Sequence, residues 1–211
     1  LGLIPLSLIR VRGNVERTGI TLLKQTLDGL KLISTNRSLR TLFTVSVVME
    51  GLGFAFLVMI PVVAKTVLHV GGTGFGLLQA GVGVGMLFSA VFMAANGDAR
   101  HKPTVIFVCA LAGGLAMIGF AISRSLPLSM LMAATVMAFL NAYDLTLGAL
   151  MQLVSPPNMR GRAVSLHSLA ISFTALGGFT MGVVGSVIGV PVVLAAVWAG
   201  LPWLSLLAAI L

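Results

Sequence analysis

Residues 163–211 read AVSLHSLAISFTALGGFTMGVVGSVIGVPVVLAAVWAGLPWLSLLAAIL and contain no Asp, Glu, Lys or Arg. A helical bilayer crossing takes about 20 apolar residues, so this run is long enough for two. Gly189, Val190 and Pro191 supply the break, giving spans near Ala163–Ile188 and Val192–Leu211. Working back toward the N-terminus, charges mark off four more apolar runs: about Thr41–Ala64, Thr73–Ala95, Pro103–Ile122 and Leu126–Leu153. Composition agrees with the pattern, at 58% hydrophobic and 9% charged with a mean hydropathy of +1.10. Soluble domains carry about a quarter charged residues, and this chain could not cover a water-facing surface. Barrel strands alternate polar and apolar over roughly ten residues, which these runs do not. The expected fold is an all-α membrane protein of six transmembrane helices.

The residues ahead of the first span have a different character. Residues 1–9 (LGLIPLSLI) are apolar but too short to cross, and read as the stub of a preceding transmembrane helix. The chain begins at Leu1 rather than Met, so we expect its N-terminus to have been trimmed. Residues 10–40 form a basic linker in which Ile20, Leu23, Leu27 and Leu30 recur at helical spacing, as in an interfacial amphipathic helix or a soluble linker helix. With that linker on the cytoplasmic side, the loops at 96–102 and 155–162 also face inward. Eleven of the thirteen Lys and Arg residues then lie inside, leaving Lys65 and Arg124 outside. Cytoplasmic excess of Lys and Arg is the rule that orients membrane helices. The same distribution argues against nucleic acid as a partner of this +8 chain, since a nucleic-acid binder gathers its basic residues on one face. The expected setting is the cell membrane, multi-pass, with the lipid bilayer as the immediate partner.

Two carboxylates interrupt the apolar runs. Glu50 lies about 14 Å from the cytoplasmic end of the first span and Asp144 about 16 Å from that side in the fourth, at about 1.5 Å per residue. Both therefore fall near the midplane, at almost one level. An ionisable group there costs a few kcal/mol to insert and faces a cavity or a partner. Asn141, three residues before Asp144 and on the same helix face, joins them as a candidate for proton coupling or substrate binding, with Tyr143 nearby. The alternative is a protonated carboxyl bonded to a neighbouring helix, holding the bundle together. His101 and His69 fall in loops, and His167 lies near the interface of the fifth span.

Other chemistry is excluded by what the residues lack. The single Cys109 allows no internal disulfide, and no Cys or His pair has metal-ligand spacing. The glycines at 71–76 and 81–85 do not satisfy G-x-G-x-x-G, and no phosphate-binding G-x-x-x-x-G-K-[ST] occurs, so no cofactor is expected and any pumping draws on an ion gradient. Gly81 and Gly85, like Gly178 and Gly182, have the spacing that lets helices approach closely. Pro61 is a candidate kink.

The order of features, a basic linker, six helices, the loop Asn96-Gly97-Asp98-Ala99-Arg100-His101-Lys102 and the loop Pro157-Asn158-Met159-Arg160-Gly161-Arg162, resembles the C-terminal half of a major facilitator superfamily transporter. Within it the resemblance is to the branch of siderophore and drug exporters. The first loop departs from the family pattern G-x-x-x-D-R-x-G-R-[RK]: Arg100 falls one place late and the second glycine is missing. The resemblance implies one half of a twelve-helix bundle, with an N-terminal six-helix half as the missing partner. It implies that Asp98 and Arg100, with Arg160 and Arg162, belong to a cytoplasmic gate. The alternative for these four is that they are topology signals. Gly161 is expected to allow the tight turn into the fifth helix. Glu50 and Asp144 occupy the first helix of each three-helix unit, the equivalent places of an inverted repeat, and in the family those helices line the central cavity.

The function expected is secondary active transport of a small organic compound, as proton-coupled export by the C-terminal half of a larger transporter. A non-transporting membrane subunit or a decayed half-gene is the alternative. An intramembrane enzyme ranks below both, because two isolated carboxylates make a thin catalytic constellation.

Overall fold

The structure, a computed structural model, describes residues 37–96, 102–190, 192–194 and 196. The expected stub and linker up to residue 36, the gate residues Asp98 and Arg100, and nearly all of the sixth expected span lie outside these residues. Among the described residues the elements are helical throughout: α1 (Arg37–Val48), a π-helical segment (Met49–Gly53), α2 (Phe56–Thr66), α3 (Gly72–Asn96), α4 (Lys102–Ile122), α5 (Leu126–Val154), a 3-10 turn (Pro157–Met159), α6 (Arg160–Ile171) and α7 (Phe173–Ile188). Five helices are long and apolar enough to cross a membrane: Arg37–Thr66, Gly72–Ala95, Thr104–Ile122, Leu126–Val154 and Arg160–Ile188. These match the first five expected spans.

The first span is not the uninterrupted helix its sequence suggests. It widens at Met49-Glu50-Gly51-Leu52-Gly53, where the Phe54 N–H donates to the Met49 carbonyl at 3.1 Å. That i→i+5 bond is the π pattern, found as short insertions in α-helices. Two glycines in five residues weaken the local preference for α geometry. Pro61, the expected kink, sits inside α2, well past this break. The fifth span is also divided, with Ser172 between α6 and α7. The two breaks pack on each other: a Cβ on Gly51 would stand 3.7 Å from the Phe173 carbonyl oxygen, and one on Gly177 would fall on the Gly51 carbonyl oxygen. α7 can approach the π segment this closely only with glycine there.

α3 lies against α5 through Gly81 and Gly85, whose missing side chains point at the Met130 and Ala134 carbonyls. The close-packing role expected of this pair is thus realised. The centre of the bundle is apolar: Phe56 and Phe120 meet edge to face with centroids 5.1 Å apart, beside the buried Met117 and Leu140. Leu87, Phe88, Val91, Leu176, Phe179 and Val187 are exposed. Apolar side chains on the outside suit a hydrocarbon surround, where helices satisfy their own backbone polar groups.

Turns follow their local chemistry. Gly189 ends α7 at φ 92, a conformation open to glycine. Gly161 does not make the turn expected of it. It lies inside α6, and the turn is made upstream by Pro156 and Pro157, with the Met159 N–H donating to the Pro156 carbonyl at 2.8 Å. Proline presets the backbone for the first helical turn, which removes the need for a glycine.

The orientation read from the charges has a direct test. In a Cys109→Ala background, single cysteines at Ser38, Asn96 or Asn158 are expected to resist an impermeant thiol reagent added outside intact cells. A cysteine at Thr66 or Ser125 is expected to react. Reversed labelling would invert the topology.

Candidate functional site

Glu50 is held in the π segment and is 4% exposed. The Thr174 hydroxyl, at the start of α7, donates to Glu50 Oε2 at 2.8 Å. A buried carboxyl is tolerable only when hydrogen-bonded or paired, and this bond meets part of that need from across the interface between the first and fifth spans.

Asp144 projects from α5 toward α6, where its Oδ1 lies 3.1 Å from His167 Nε2. The other ring nitrogen, Nδ1, lies 3.2 Å from the Ser46 hydroxyl on α1. The imidazole therefore bridges the first and fourth spans from the fifth. Glu50 lies close enough to Asp144 and His167 for each to bear on it electrostatically. Ser46, Glu50, Asp144, His167 and Thr174 form one polar cluster joining three spans. Ser46 is 1% exposed, so the serine–histidine–aspartate order offers no route for a substrate carbonyl to the hydroxyl. Among the described residues no three His, Cys, Asp or Glu side chains converge as metal ligands.

The structure brings Glu50 and Asp144 to one place but does not bring Asn141 with them. The Asn141 amide donates to Ser89 Oγ at 2.7 Å and to the Met86 carbonyl at 3.2 Å, both on α3. Residues three apart on a helix differ by about 60° around its axis. That is enough for Asn141 to reach α3 while Asp144 reaches α6. Tyr143, between them in the chain, joins neither: its hydroxyl is buried and has no hydrogen-bond partner among the described residues. Arg160 and Arg162 open α6, with Arg160 exposed.

Sequence reasoning left His167 open, as a residue near the interface, and missed Ser46 and Thr174. The signals were present but weak. Ser46 precedes Glu50 by one helical turn and Thr174 follows His167 by two, so each shares a face with a titratable residue. His167 lies roughly 10 Å along the helix from Arg160, deeper than an interfacial residue.

Residues 10–211 match the profile of the transmembrane secretion effector family, of major-facilitator type. The chain belongs to that family. Transmembrane secretion effectors of this type are membrane transporters of secreted compounds, not enzymes. No curated protein matches the chain. Apart from the polar cluster, a groove of about 1020 Å³ lies between α3, α4 and α5, with Phe88, Phe92, Val105 and Phe139 on its walls. Ser89, on the same wall, is the residue that Asn141 holds. Two further hydroxyls on the wall are engaged by their own helix, Thr135 with the Leu131 carbonyl and Thr146 with the Ala142 carbonyl.

Proposed function

We propose that the protein is the C-terminal half of a proton-coupled exporter of a small organic compound, in the siderophore and drug exporter branch. Glu50 and Asp144 are its proton-coupling groups. The observation that carries this reading is the pair of hydrogen-bonded contacts, Glu50 with Thr174 and Asp144 with His167, each tying the fifth span to another. Any rocking that separates the spans must break them. Protonating a carboxyl changes the strength of its contact, so proton occupancy and helix position are linked. The groove's volume is that of a drug-sized ligand site, and its walls are mostly apolar. Asp98, Arg100, Arg160 and Arg162 act as the cytoplasmic gate, and the cavity is completed by an N-terminal six-helix half.

The test uses everted membrane vesicles from cells that express the protein from its genomic reading frame, energised by a proton gradient. Ethidium and a siderophore-like catechol serve as probes. Accumulation of one of them, lost when a protonophore collapses the gradient, is the expected result. Accumulation that survives the protonophore, or none above vesicles lacking the protein, would reject proton-coupled export. Residues 1–211 alone in liposomes are expected to give no flux. Gradient-driven flux from them would show that the chain needs no second half.

A further inference from the structure

We propose that His167 is a working member of the site, exchanging a proton with Asp144, and that Ser46 is the positioning residue that lets the ring hold either protonation state without moving. This inference rests on the transport reading for its use in a cycle, but its geometry stands alone. A neutral imidazole has one donor and one acceptor nitrogen, and a carboxylate only accepts. With Asp144 ionised, Nε2 therefore carries the hydrogen and donates to Oδ1 across 3.1 Å. Nδ1 then accepts from the Ser46 hydroxyl across 3.2 Å. When Nδ1 gains a proton the direction of that second bond reverses: Nδ1–H donates and the serine oxygen accepts. The hydroxyl hydrogen turns toward the helix carbonyl four residues back, a common partner for a helical serine. No heavy atom has to move.

The pair then holds one exchangeable proton. Its net charge is −1 with Nδ1 bare and zero with Nδ1 protonated. In the protonated state the Nε2 proton can pass to Oδ1, breaking N–H as O–H forms, which leaves both groups neutral. An alanine or a valine at position 46 would offer Nδ1 no hydrogen-bonding group, and a group that only donates or only accepts would favour one state. The groups facing His167 are Asp144 from α5, Glu50 from the π segment and Ser46 from α1. Gly148, one turn after Asp144, leaves the ring its place: a Cβ there would stand 3.4 Å from Nε2.

Nitrogen NMR of histidine-labelled protein in lipid nanodiscs reads this directly. The protein has three histidines, and the signals lost in His167→Gln belong to this ring. The expected result is that Ser46→Ala shifts the His167 Nδ1 resonance, Asp144→Asn shifts Nε2, and Ser46→Thr, which keeps the hydroxyl, restores the wild-type pattern. The Thr variant separates loss of the hydroxyl from loss of the fold. His167 resonances unchanged in both Ser46→Ala and Asp144→Asn would overturn the proposal, as would a Thr variant that behaves like Ala. If the NMR pattern holds while vesicles show no gradient-driven export, the transport reading fails and the ring geometry does not.

Discussion

Asp144→Asn and Glu50→Gln are each expected to cut uphill export sharply while leaving the protein in the membrane at wild-type levels. The amides match the carboxyls in size and keep a hydrogen-bonding oxygen, so Thr174 retains an acceptor at position 50 and His167 one at position 144. What they lose is the ability to gain and release a proton. If proton occupancy of these groups sets which packing of the spans is favoured, removing titration uncouples substrate movement from the gradient. Coupling free energies between linked sites run at about 1–3 kcal/mol, or roughly 5–150-fold in an equilibrium. Accumulation driven by the gradient should fall by a factor in that range. Downhill equilibration of the same probe should persist, because it needs the conformational change but no net proton movement. Measuring both in one vesicle preparation separates coupling from folding. Normal uphill accumulation by both amides across a range of pH would make the carboxyls structural.

The largest stability effect is expected from Gly177→Ala. A methyl group on Gly177 would land on the Gly51 carbonyl oxygen. That obstacle is backbone, which cannot swing aside as a side chain does, so α7 and the π segment must separate. Overpacking of a tight contact costs about 1–3 kcal/mol, and a clash with backbone belongs at the upper end. Separation would also draw Thr174 away from Glu50, leaving a buried carboxyl short of its donor. Gly83→Ala is the control, since a methyl group there meets nothing within 4 Å, and alanine is the better helix former by about 1 kcal/mol. Thermal unfolding in detergent, followed by size-exclusion chromatography, should place Gly177→Ala well below wild type and Gly83→Ala at or above it. Equal melting of the two variants would mean that the contact is relieved without cost.

Loop charges and run lengths carry most of the fold. A run such as Leu126–Val154, apolar for longer than a bilayer is thick, has no stable alternative to crossing as a helix, because nothing in hydrocarbon satisfies an open backbone. Depth along a helix is equally local, being a count of residues, and so Glu50 and Asp144 could be put at one level before any packing was known. Azimuth is partly local: Asn141 and Asp144 share a broad face, but only the neighbours decide that one reaches Ser89 on α3 and the other His167 on α6.

By itself, then, the sequence determined that this is a helical membrane protein, where its first five spans run, and that two carboxyls interrupt the first and fourth of them. These follow from composition and from distance along the chain. Only the tertiary structure decided which groups those carboxyls meet, and that the first and fifth spans break where they touch. Ser46, His167 and Thr174 are ordinary residues in the sequence. Thr174 meets Glu50 where Gly51 and Gly177 let two backbones come into contact, and the His167 ring fits beside Gly148; no pattern along one helix encodes the face that another helix will present to it.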